Sequence, residues 1–201
     1  EYADALAFSG GDVEYAEAEE MHSFVIPDGC HWEDVRKVTK DVGKAIVNAM
    51  TGIEKANPDT LSGVFSSFDD ATWTDKNKLS DERLKNLIEH MSSIRVGNKD
   101  YSADIMGDSY EFLIKKFADL SKKNAGEFYT PRTIVKLMVD LLDPQPGEMV
   151  YDPACGTGGM LIEAIRHMHN DRLAYGRIYG QENNLSTSAI ARMNLYLHGA
   201  K

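Results

Sequence analysis

Eight consecutive residues, Asp152-Pro153-Ala154-Cys155-Gly156-Thr157-Gly158-Gly159, constrain this chain more than any others. They follow a short apolar run, Met149-Val150-Tyr151, and lead into an amphipathic stretch, Met160-Leu161-Ile162-Glu163-Ala164-Ile165. The order is strand, tight glycine turn, helix. Such a turn lets backbone approach a ligand closely and aims the first N–H groups of the helix at it. A second short apolar run, Arg177-Ile178-Tyr179-Gly180, ends in Gln181-Glu182. An acidic side chain at the tip of the second strand suits the hydroxyls of a ribose. Together these features predict a nucleoside-binding βαβ unit.

Spacing separates the nucleosides such a unit could take. A phosphate-cradling loop needs Gly-Lys-Ser/Thr after its glycines, whereas Gly158-Gly159 is followed by Met160-Leu161. The dinucleotide fingerprint G-x-G-x-x-G starts well at Gly156 and Gly158 but meets Leu161 at its third glycine. Asp152 precedes the turn, where it repels a pyrophosphate and welcomes a cation. S-adenosylmethionine carries a sulfonium and an ammonium and no phosphate, so the chemistry favours it.

At these residues the chain resembles a known family. Asp152 to Gly159 is similar to motif I of adenine-N6 DNA methyltransferases, particularly the modification subunits of type I restriction-modification systems. Gly126-Glu127-Phe128-Tyr129-Thr130-Pro131-Arg132 resembles motif X, which precedes motif I in that class, and Gly180-Gln181-Glu182 stands at its acidic second-strand position. Gly107 to Ile114 resembles the helix that leads into motif X. The resemblance implies cofactor contact for Glu127, Phe128, Tyr129, Thr130, Pro131, Arg132, Asp152, Cys155, Gly156, Thr157, Gly158, Gly159 and Glu182.

The residues make physical sense beside the resemblance. Thr130-Pro131 predicts a helix start, with Thr130 as N-cap and Pro131 at the first helical position. Ile134, Val135, Leu137, Met138, Leu141 and Leu142 then form a broad apolar face. Phe128 and Tyr129 either wall a cofactor pocket or staple that helix to the core. Three glycines in four residues exceed what a plain turn needs, since one position of positive φ suffices. Asp152 suits a ligand ammonium or a loop N–H. Glu182 is either a ribose ligand or an ordinary charged strand end. Cys155 reads as a small, partly buried loop residue. With Cys30 as the only other cysteine and no metal spacing among the six histidines, no metal site is expected.

Charge bears on the partners. The formal net charge of −10 is unexpected for a chain that meets DNA. Residues 1–30 hold eight Asp or Glu and no Lys or Arg, which leaves 24 acidic against 22 basic residues elsewhere. The acidic bias belongs to a leading segment expected to be a mobile arm, and the remaining body carries no strong nucleic-acid footprint. The main grip on DNA is therefore expected in other sequence or in a partner. No apolar run near the length of a membrane span occurs, and two cysteines with no leading signal segment predict a cytoplasmic protein.

Three segments are expected. Residues 1–30 form the acidic segment, 31–125 a helical N-terminal domain, and 126–201 the start of an α/β Rossmann-like methyltransferase domain. Val35, Val38, Val42, Ile46 and Met50 predict one helix from about Glu33 to Ala56, ended by Asn57-Pro58-Asp59. Residues 59–79 read as a packed loop with a short helix or hairpin, in which Phe65, Phe68 and Trp73 are core candidates. Further helices are expected from Ser80 and from about Asp108 to Ser121, with the domain junction at Lys122–Gly126.

One motif is absent. The family orients the adenine amine with Asn/Asp-Pro-Pro-aromatic and stacks a flipped base on the aromatic ring. None of the six prolines is adjacent to another, so the catalytic residues are expected beyond Lys201. The resemblance then implies S-adenosylmethionine-dependent methylation of adenine N6 in double-stranded DNA. It implies as partners a specificity subunit, a second modification subunit and a restriction subunit. A single-chain restriction-methylation enzyme shares the same motifs, a non-catalytic assembly module is a second alternative, and a nicotinamide dehydrogenase is opposed by Leu161.

Overall fold

The computed structural model describes residues 2–18, 22, 24–65, 72–94, 103–121, 130–168 and 177–200, and divides after Ser102 into two compact units. The first is helical among its described residues. Instead of a bare arm, the leading segment holds α1 (Tyr2–Phe8) and α2 (Val13–Glu17), which pack together and bury Ala5 and Ala16. Asp12 caps α2 by accepting the Tyr15 N–H at 3.2 Å. Farther along, the Asn57 amide accepts the Val25 N–H at 2.8 Å and donates to the Val25 carbonyl at 2.7 Å. Local capping at Asp12 and one long-range amide clamp at Val25 hold these described residues.

The single helix expected from Glu33 to Ala56 is two, α3 (Trp32–Lys37) and α4 (Val42–Ala56). Asp41 between them has φ 55°, a left-handed conformation. That break is held from a distance. The Asp81 carboxylate accepts the N–H groups of Asp41 at 3.1 Å and Val42 at 2.9 Å. The missing N-cap of α4 is thus supplied by a residue 40 positions away. Asn57 ends α4, and Pro58 begins the one-turn α5 (Pro58–Leu61). Ser80 caps α6 (Asp81–Ser92), whose Leu84 and Ile88 join Val35, Val42 and Ala49 in the core, with Trp73 packed against it. Phe68 lies outside the described residues. Gly43 is a close approach: a Cβ there would collide with the Trp73 carbonyl.

The second unit contains α7 (Ala103–Ser121), α8 (Arg132–Leu142), β1 (Val150–Asp152), α9 (Gly159–Met168), β2 (Ile178–Gly180) and α10 (Leu185–Leu197). β1 and β2 pair in parallel, Val150 beside Ile178 and Asp152 beside Gly180. α9 is the crossover between them, and its Ala164 and Met168 pack with Val139 of α8. The unit begins at α7, ahead of the junction expected near residue 126, because α7 lies along α10. Gly107 lets the two helices meet, since a Cβ there would run into the His198 ring.

α8 begins one residue later than expected. Pro131 is its N-cap, with its carbonyl accepting from Ile134 and Val135 at 2.9 and 3.1 Å, and Thr130 stands outside. Only Val135 and Val139 of α8 are buried; Leu137, Leu141 and Leu142 are exposed among the described residues. No helix among the described residues is long and apolar enough to cross a membrane.

Candidate functional site

The glycine loop is fastened at almost every peptide. Beyond the β1–β2 pairing, Gln181 donates its N–H to the Asp152 carbonyl and Cys155 donates to the Gln181 carbonyl, each at 2.9 Å. The Asp152 carboxylate accepts the Ala154 N–H at 3.0 Å, a bond that turns the chain out of the strand. Gly156 and Gly158 have φ of 55° and 83°, and Gly158 donates back to the Cys155 carbonyl at 2.8 Å. Glu182 closes the loop from the second strand. Its Oε2 accepts the Gly156 N–H at 3.1 Å, and its Oε1 accepts the Asn184 N–H at 2.8 Å.

A cavity of about 200 Å³ opens over this loop. Gly156 and Gly159 line it, and a Cβ built on either meets nothing within 4 Å, so their bare backbone leaves room for a ligand. The first N–H groups of α9 have no acceptor within the helix and offer the dipole's positive end. Three carboxylates line the cavity, Glu111, Asp152 and Glu163, against two guanidiniums, Arg132 and Arg166. The excess negative charge suits a ligand that carries positive charge without phosphate.

The arginines are already engaged. Arg132 pairs with Glu111 and with Asp108 at 3.3 Å, while Arg166 reaches the same Asp108 oxygen at 2.7 Å. Burial opposes ionisation of Asp108, yet Arg166 and Arg132 outweigh it and hold the carboxyl below its usual range. Asp108, Glu111 and His198 bring ligand-type atoms within 4.8 Å of one another, but guanidiniums occupy both carboxylates, which makes an ion-pair network of the group. Burial, with Asp152 and Glu182 nearby, raises the Cys155 thiol, so its thiolate is disfavoured.

The residues expected at the site divide accordingly. Thr130, Arg132, Asp152, Cys155, Gly156, Thr157 and Gly159 line the cavity. Gly158 faces α10 instead, with the Ala191 carbonyl and Leu195 each 3.6 Å from the place of a Cβ. Pro131 caps α8, and Glu182 reaches the loop through Gly156. Glu127, Phe128 and Tyr129 lie outside the described residues. Sequence reasoning overlooked Glu163 and Arg166, which share a helical face with Gly159 at spacings that periodicity reveals. Glu111, inside the helix that resembles the lead into motif X but not assigned to the site, also lines the cavity, as does Asn194, which no local pattern announced.

Comparison with known proteins follows the same division of the chain. The N-6 DNA Methylase family matches residues 101–201, and the HsdM N-terminal domain family matches residues 3–91. The MjaIX methylase subunit of a type I restriction enzyme from Methanocaldococcus jannaschii is 31% identical over 166 residues, 82% of this chain and 29% of its own length. The EcoKI methylase subunit of Escherichia coli is 29% identical over 189 residues, 86% of this chain and 35% of its own. The chain spans about a third of the length of the curated relatives it matches. A crystal structure of the methyltransferase subunit of a type I restriction-modification system from Streptococcus thermophilus aligns with TM-score 0.73 at 25% identity, covering 100% of this chain and 43% of that one.

Proposed function

We propose, since the chain belongs to the N-6 DNA methylase family, that it supplies the S-adenosylmethionine cradle of a type I DNA adenine-N6 methyltransferase subunit. The observation that carries this reading is the loop Gly156-Thr157-Gly158-Gly159, held open beneath a cavity and clamped at Gly156 by Glu182. When bound, S-adenosylmethionine supplies an electrophilic methyl group on its sulfonium. The bare backbone of Gly156 and Gly159 accommodates the ligand, and Asp152 and Glu163 favour its positive charge. Each carboxylate oxygen of Glu182 has a further lone pair beyond the N–H it accepts, and these are available to ribose hydroxyls. Glu127, Phe128 and Tyr129 are included as cofactor contacts on the family resemblance alone, and Thr130 and Arg132 line the cavity.

The amine-orienting Asn/Asp-Pro-Pro-aromatic motif is not among these 201 residues, so transfer requires sequence outside them. The relatives are methylase subunits of type I restriction enzymes, and by that likeness the intact protein works in the cytoplasm with a second modification subunit, a specificity subunit that selects double-stranded DNA, and a restriction subunit. The test is methyl transfer by the full-length protein with its specificity subunit, using labelled S-adenosylmethionine and duplex DNA. Label in N6-methyladenine supports the proposal. Label confined to cytosine, or none in DNA while the complex assembles, refutes it.

A further inference from the structure

We infer that Asn194, a residue of α10 outside every motif recognised in the sequence, is a positioning residue for the glycine loop and sets its affinity for the cofactor. Its side-chain amide donates from Nδ2 to the Thr157 carbonyl at 3.0 Å, across 37 residues of chain. That bond fixes the orientation of the amide, because only the NH₂ end can donate to a carbonyl. Thr157 stands between Gly156 and Gly158, both at positive φ, where backbone restraint is weakest. A trans peptide points its C=O and its N–H in opposite directions. The Thr157–Gly158 peptide is therefore held at both ends, by Asn194 at the carbonyl and by the Cys155 carbonyl at the Gly158 N–H. Glu182 holds the Gly156 N–H in the same way. The loop is thus clamped by the second strand's tip and by the helix that follows it.

Stability alone does not account for this side chain. Asn194 is 1% exposed, and its Oδ1 is buried with no hydrogen-bond partner among the described residues. Burying an unpaired amide oxygen is costly, and an apolar residue of the same size would avoid it. Asn194 is among the residues lining the cavity and its Nδ2 holds the Thr157 carbonyl of the loop, which gives the cost a purpose. The inference rests on the cofactor reading above.

The test compares the full-length protein with its Asn194→Leu variant, which keeps volume and removes the donor. Melting without cofactor, the calorimetric Kd for S-adenosylmethionine, and the KM and kcat of methyl transfer with the specificity subunit are measured on both. The expected result is a melting temperature within a few degrees of wild type. Kd and KM for the cofactor rise about tenfold, with kcat at saturation kept within about twofold. Unchanged Kd and KM, whatever the melting temperature, overturn the role of Asn194 while wild-type binding leaves the cofactor reading intact. Absence of wild-type binding overturns both. Should the leucine variant fail to fold, Asn194→Ser is read by the same criteria, since its hydroxyl is one bond too short to reach the Thr157 carbonyl.

Discussion

Replacing Glu182 tests the loop clamp in a graded way. The carboxylate accepts two backbone N–H groups at once, Gly156 at 3.1 Å and Asn184 at 2.8 Å, one on each oxygen. Glutamine keeps the shape but offers one acceptor oxygen, so its NH₂ must face one of two donors. One bond to an ionised group is lost, worth about 1.5–3 kcal/mol where solvent is excluded and toward the low end at this half-exposed site. That corresponds to roughly a tenfold weaker Kd for S-adenosylmethionine if the loop must be ordered to bind. Glu182→Ala loses both bonds and any contact with ribose hydroxyls, for an expected loss of about a hundredfold or more. Calorimetric titration of the full-length protein and both variants measures the series. A glutamine variant within twofold of wild type, or an alanine variant no weaker than glutamine, would refute the clamp.

The glycines separate strain from obstruction. Gly158→Ala has ordinary space for its Cβ but adopts φ 83°, so the second unit should lose about 1–2 kcal/mol in denaturant unfolding. Gly159→Ala should leave stability unchanged or slightly higher, because alanine favours the helix start, yet weaken cofactor binding by placing a methyl group in the cavity. Equal effects on stability for the two would count against the assigned backbone geometry. For Asp81, the Val42 and Asp41 N–H groups and Lys76 together lower the carboxyl below its ordinary 3.8. Its stabilisation is present above that value and disappears as pH falls through the depressed one. Asp81→Asn should therefore lower the melting temperature of the full-length protein's helical unit at neutral pH, and the gap from wild type should close in acid. A gap that persists unchanged to the lowest pH at which both variants fold would refute the long-range cap.

The parts of the site legible in the sequence are those built from neighbours in the chain. Strand, glycine turn and helix at residues 150–168 are specified by an apolar run, glycines at positive φ and a helical period, all local. Asp152 is likewise legible, because the N–H it accepts lies two residues away. What escaped is held from a distance. Gly43 marks a weak point two residues from Asp41, but the break itself is fixed by a cap from Asp81 that no local pattern records. Asn194 reads as one more polar residue on a helix until Thr157 is placed beside it. Asp108, Glu111, Arg132 and Arg166 stand on three helices, and only folding brings their charges together. The junction moved for the same reason: α7 joins the second unit through its contact with α10, which no local composition records.

The most direct test is calorimetric titration of S-adenosylmethionine into the full-length protein beside Gly156→Asp, with NAD as competitor. The substitution places a carboxylate at a cavity-lining position next to Asp152 and Glu182. Saturable binding by wild type, undisturbed by NAD and lost in a variant that still folds, is the predicted result. Absence of wild-type binding, or binding that survives Gly156→Asp, would contradict the cofactor cradle.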